Sequence, residues 1–186
     1  MKRKDLAFTA ALLTAGVFPF LLAYLAADGT VFFKGFLLNP LDGHTYLSKI
    51  YQGMQGSWKF TLPYTSNPGE GSYLFLYYLF LGHVAGLLNI SQLTIFHLAR
   101  IINAGFLLFS VLYFIRSYLP DGAQDQKIAL LTLTGSGCGW LLIASGHQTS
   151  DFWVAEMYPL LSSLANPHFP LGLGINPTKN PGFSPG

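Results

Sequence analysis

The chain has 186 residues, of which 51% are hydrophobic, 16% aromatic and only 10% charged, and its net charge is +2. A soluble domain carries about 25% charged residues, so ten Lys and Arg with eight Asp and Glu cannot solvate a surface of this size. Composition therefore excludes a soluble enzyme, a disordered chain and a nucleic-acid-binding module, the last because so small a charge makes no basic patch. One cysteine, Cys138, excludes a disulfide framework and a multi-cysteine metal site. What remains is an all-α, multi-pass membrane protein.

The first apolar run, residues 6–27, holds no charge and is long enough for the roughly 30 Å core of a bilayer. A signal-peptide h-region is only about 7–15 residues long, so an uncleaved span is preferred, with Ala26-Ala27-Asp28 as the cleavage site of the rival reading. Lys2, Arg3 and Lys4 put the N-terminus in the cytoplasm and Asp28 outside. Pro19 kinks the span and is tolerated there.

A polar, aromatic-rich stretch follows. Asp42 is an N-cap candidate for a helix over about 42–56. Tyr46, Leu47, Ile50 and Met54 fall at helical spacing with Lys49 and Gln52 between them, the pattern of an amphipathic helix lying in the membrane interface. Residues 63–71 are turn-forming. Residues 73–88 are apolar but fall short of the roughly 17–25 of a span, and Tyr64, Tyr73, Tyr77 and Tyr78 suit an interface.

Residues 93–115 form the next span, with His97 and Arg100 in its first turns. Residues 116–127 read as a polar loop and 128–144 as a further span. Residues 145–166 are polar at both ends, another apolar run starts at 168, and 176–186 form an irregular tail that cannot span.

Parity decides where the acids lie. If 73–88 only dips into the outer leaflet, Arg116 and Lys127 join Lys2, Arg3 and Lys4 in the cytoplasm. Asp42, Glu70, Arg100, Asp151, Glu156 and His168 then share the outer side. This layout is preferred to a full crossing because it satisfies the positive-inside rule.

Asp42 is either a carboxylate positioned to orient or deprotonate a substrate hydroxyl, or a helix cap. Arg100 is costly in an apolar span; it either snorkels or meets an anion, and phosphate suits its bidentate fork. Glu70 is a turn residue or a ligand to substrate or metal. Asp151, Glu156 and His168 form a loose acid/acid/His group whose spacing matches no metal signature. His83, His97 and His147 read as packing or interfacial residues. Asn89-Ile90-Ser91 is a formal glycosylation sequon and a frequent chance match. The run from Gly135 to Gly139 reads as a helix-packing face, since it lacks the Lys of a phosphate loop.

The order of parts resembles a known family. Asp42 and Tyr46 share an amphipathic helix, Gly53 to Trp58 and Pro63 to Ser66 follow, then Glu70, Leu79 to His83, and His97-Leu98-Ala99-Arg100 opening a span. Asp151 to Glu156 and Asn166 to Phe169 come later. This is similar to the N-terminal portion of GT-C superfamily membrane glycosyltransferases, in the bacterial branch related to protein mannosyltransferases and lipid A aminoarabinose transferases. The likeness covers most of residues 1–175.

The resemblance implies a bundle of transmembrane helices with juxtamembrane helices in a long first external loop. It implies inverting transfer of a sugar from a polyprenyl-phosphate donor to an acceptor on the outer face. Asp42 matches the essential first-loop acid, Glu70 the turn carboxylate, and Asp151 or Glu156 a second external acid. Gly43 and His44 stand where an acidic pair is common. Membrane lipids and the lipid-linked sugar are the partners, nucleic acid is not, and no cofactor is fixed, with room for a divalent metal. The 186 residues alone are expected to be an inactive fragment of such an enzyme. A transporter piece, an assembly subunit or an oligosaccharide-binding relic is the alternative.

Overall fold

The computed structural model describes residues 3–28, 30–119, 124–135, 142, 145–147, 149, 154 and 158–175. Among them the regular structure is helical: α1 (Arg3–Leu25), α2 (Pro40–Met54), α3 (Leu76–Leu88), α4 (Gln92–Tyr118), α5 (Asp125–Thr134), α6 (Pro159–Ala165) and α7 (His168–Ile175). The one β feature among these residues is an isolated antiparallel bridge between Phe60 and Ser72. Two helices, α1 and α4, are long and apolar enough to cross a membrane, at roughly 35 and 40 Å.

The chain divides into two compact units, Met1–Pro19 with Ile101–Gly186, and Phe20–Arg100. In the first, α1 runs antiparallel to α4. Leu13 lies against Gly105, and Phe8, Leu12 and Leu13 pack on a core of Leu108, Leu112, Ile115, Ala129 and Leu133. At the end of this pairing Asp5, 1% exposed, takes both terminal nitrogens of Arg116 at 2.9 and 2.6 Å. Arg116 Nε donates to Asp125 at 2.6 Å, and Gln126 Nε2 donates to Asp5 at 3.2 Å. Three helix ends are thus joined by one guanidinium. The expected polar loop over 116–127 starts later, because this ion pair keeps Arg116 helical within α4.

Of the expected span over 128–144, α5 accounts for the part up to Thr134. Gly135 leaves helical geometry with φ −59 and ψ 123, and most residues after it lie outside the described ones. The stretch 145–166 holds a short helix not read from the sequence, α6, which starts on Pro159. Proline suits a first helical position because its fixed φ is already helical and it has no N–H to satisfy. The helix expected from 168 is α7. Asn103 Nδ2 donates to the Pro167 carbonyl at 2.8 Å and ties the α6–α7 turn to α4.

In the second unit, α2 and α3 pack closely side by side and run in the same direction, Tyr46 meeting Tyr78, Ile50 meeting Gly82 and Met54 meeting Gly86, around Ile50, Tyr78, Leu81, Ala85, Ile95 and Phe96. The amphipathic helix expected over 42–56 is α2, and α3 covers part of its apolar stripe. Its apolar face, with Tyr46, Leu47, Ile50 and Met54, packs within this core, and Ile50 is 0% exposed. Sequence periodicity gives the apolar face but not what covers it. The cap also differs. Asn39, in the left-handed region at φ 44, precedes Pro40 at the first position, and Asp42 sits in the first turn without capping.

The two helices touch through backbone. A Cβ on Gly53 would lie 2.1 Å from the Leu79 carbonyl oxygen, and one on Gly82 2.1 Å from that of Ile50. Neither partner is a side chain that can move aside. Gly53→Ala or Gly82→Ala is therefore expected to destabilise this helix pair by at least about 1–3 kcal/mol, as overpacking does. Unfolding curves of the purified variants in detergent check this, with Gly56→Ala, where nothing lies within 4 Å but φ is +88, showing the smaller cost of backbone strain alone.

Candidate functional site

Four of the expected site residues belong to the second unit: Asp42, Tyr46, Glu70 and Arg100. Asp42 is exposed in the first turn of α2, where the helix dipole favours a carboxylate. Its backbone oxygen accepts from Thr45 Oγ1 at 2.8 Å. Gly43 beneath it is buried, and a Cβ there would fall 2.4 Å from the Phe36 ring. Any side chain directly after Asp42 would need the Phe36 ring to shift. His44 stands edge-on to Phe36 at 5.3 Å.

Tyr46 lies one turn on from Asp42. Its ring stacks on Tyr78 at 4.4 Å and 18°, and Tyr78 meets Tyr77 edge-on at 5.3 Å. Lys49, one turn further, is the residue that sequence reading missed. It was read as part of a polar face, yet it is 7% exposed, with Nζ 4.3 Å from the centre of Tyr46 and 3.8 Å from that of Phe75. The signal in the sequence is weak: aromatics at 46, 60 and 75 show only that rings are plentiful.

Glu70 is exposed in a turn between Gly69 and Gly71, at φ 68 and 75. That turn closes the Phe60–Ser72 bridge, whose hydrogen bonds measure 2.8 and 3.0 Å. The Gln52 side chain fixes the near side of the loop by donating to the Thr61 carbonyl and accepting from the Thr61 amide, both at 2.9 Å.

Arg100 does not snorkel. It is 3% exposed, its guanidinium sits 3.9 Å over Phe20, and its Nε donates to His97 Nδ1 at 3.4 Å. His97 is ringed by Phe20, Phe36 and Phe96 and its Nε2 is buried without a hydrogen bond, as is His83 Nε2 beneath the stacked Trp58. The packing reading of these two histidines agrees with this. His147 is exposed and close to Ser145 Oγ.

His168 belongs to the first unit, half-buried at the start of α7 against Phe169. Asp151 and Glu156 lie outside the described residues, as does Cys138. An apolar groove of about 450 Å³ between α4 and α5, lined by Val111, Phe114, Ile115, Tyr118, Ile128 and Thr132, touches none of the candidates. Among the described residues no three His, Cys, Asp or Glu side chains gather as a metal ion would need.

No protein-family model matches this chain, and no curated protein or solved structure matches it either. What the site can do therefore rests on its own residues. An exposed carboxylate, a phenol one turn away and a second exposed carboxylate on a tethered turn can bind hydroxyl groups and accept a proton.

Proposed function

We propose that the chain belongs to a multi-pass membrane glycosyltransferase of the GT-C kind, with Asp42 as the acid that engages the acceptor hydroxyl. The observation that carries this reading is the exposed Asp42 carboxylate at the positive end of α2. Asp42 takes the proton as the hydroxyl oxygen attacks the sugar, and the polyprenyl phosphate leaves with the electrons of the bond it breaks. Arg100 has no part in holding the phosphate in this reading, because its guanidinium is buried over Phe20.

The Asp5–Arg116 pair supports the topology. These residues are 111 apart in sequence yet in contact. With α1 and α4 both crossing, the chain leaves and regains the same face, so residues 26–91 begin and end on the other. At about 20 Å, α3 is too short to cross and dips into the outer leaflet instead. Arg3, Lys4 and Lys127 then share the cytoplasmic side.

Transfer of a sugar from a polyprenyl-phosphate donor by the full-length protein tests the function, and its absence from every such donor and acceptor assayed would leave a non-catalytic membrane protein. Topology has its own check in a Cys138→Ser background. Asn67→Cys is expected to react with an impermeant maleimide on intact cells, and Gln124→Cys only after permeabilisation. Reaction of Gln124→Cys from outside would overturn the layout.

A further inference from the structure

Lys49 is buried and makes no ion pair within 4 Å among the described residues, the Asp42 carboxylate acting on it only from further off. An ammonium removed from water needs compensation, and here it comes from ring faces, with Phe75 at 3.8 Å, Tyr46 at 4.3 Å and Phe60 further off at 5.9 Å. Phe60 and Phe75 also meet each other edge-on at 5.0 Å.

Phe75 is itself unusual. It precedes α3 at φ 54 and ψ 33, in the left-handed region. The other non-glycine residues at positive φ among the described residues, Asn39 and Asn89, are of a type that tolerates it. A bulky aromatic does not, and such a conformation persists only when its surroundings hold it. Its carbonyl accepts the amides of Tyr78 and Leu79, so the conformation also sets the start of α3.

Beyond its first residues, which continue the end of α2, segment 55–75, which carries Glu70, is thus tied to α2 by Gln52 to Thr61 and by Lys49 to Phe75 and Phe60. We propose that Lys49 is a positioning residue whose ring-caged ammonium latches Phe75, and with it segment 55–75 and the Glu70 turn, onto α2. The latch stands on the geometry of this unit alone and goes beyond the glycosyl-transfer reading without requiring it.

Limited trypsin digestion of the full chain in detergent tests the latch, read as the rate of cleavage after the exposed Lys59 within the segment. Lys49→Met keeps the length and apolar stem but removes the charge, and is expected to speed that cleavage about 2- to 30-fold, the range of a cation–π contact from exposed to desolvated. Lys49→Arg restores the cation and is expected to recover most of the protection. A purely space-filling role would not distinguish the two in this direction. A globally misfolded variant would also be cut faster after Lys127. In that event Phe75→Leu, which removes the ring from the other side of the contact, is read with the same expected increase. Cleavage of Lys49→Met at the wild-type rate, or of Lys49→Arg as fast as Lys49→Met, would overturn the latch. Glycosyl transfer is not read, so failure of the latch and failure of the transfer reading are separate results.

Discussion

Asp42→Asn in the full-length protein is expected to lower glycosyl transfer by about 10²–10⁴-fold, the usual contribution of a positioned general base. The substitution should leave the fold nearly intact. Asp42 does not cap α2, and the backbone oxygen that Thr45 uses remains. The loss is the attraction of a charge to the helix end, about 0.3–1 kcal/mol. Transfer from a polyprenyl-phosphate donor would be measured beside the unfolding midpoint. Gln55→Ala, at the far end of α2, is the control expected to keep full transfer. Asp28 would be a poor control, because its carboxylate accepts from the Thr30 amide, the Thr30 hydroxyl and the Val31 amide. Those bonds hold its pKa below the ordinary 3.8, the Thr30 hydroxyl most of all, so an amide there would disturb the turn after α1. Near-wild-type transfer by a folded Asp42→Asn protein would remove Asp42 from the chemistry.

The second large effect concerns stability. Arg116→Met takes the guanidinium away from Asp5, a carboxylate that is 1% exposed and that keeps its hydrogen bond from Gln126 Nε2. Removing one partner of a buried pair costs about 3–5 kcal/mol, because the other charge stays buried and uncompensated. Asp5→Asn combined with Arg116→Met removes both charges of this pair, with Asp125 losing the guanidinium in either case, and is expected to cost less than Arg116→Met alone. Such a non-additive result is the signature of direct coupling. Chemical denaturation of the four proteins in detergent would measure it. A double variant as unstable as the sum of the two single variants would show that the three helix ends are held by packing instead.

Helix type and position were legible wherever an apolar run had a clear period, as in α1, α2, α3 and α4. What each face touches was not. Tyr46, Leu47, Ile50 and Met54 make the same stripe whether they meet lipid or α3, and only tertiary structure chooses. The start of α2 was misread because Asp42 has a cap-forming side chain, whereas Asn39 with Pro40 supplies the boundary through backbone geometry. Arg116 was misplaced into a loop because its partner Asp5 lies at the other end of the sequence. Of the site, Asp42 and Glu70 were readable as exposed acids beside turns. Lys49 was not, since a lysine between apolar positions reads as solvated unless the rings that cover it are known.

One short connection has a mechanical consequence. Only three residues, Asn89 to Ser91, separate α3 from α4. Asn89 turns the chain in the left-handed region at φ 53, and the Ser91 hydroxyl accepts from the Thr94 amide. So short and well-bonded a joint has little slack to absorb a tilt. A displacement of the first turns of α4 moves α3 with it, and α3 moves α2 through the side-chain-free contact of Gly53 and Gly82. The exposed carboxylate on that lever is Asp42, so the joint couples the first turns of α4 to the acid through close backbone contact and the shared core of Ile50, Tyr78 and Phe96.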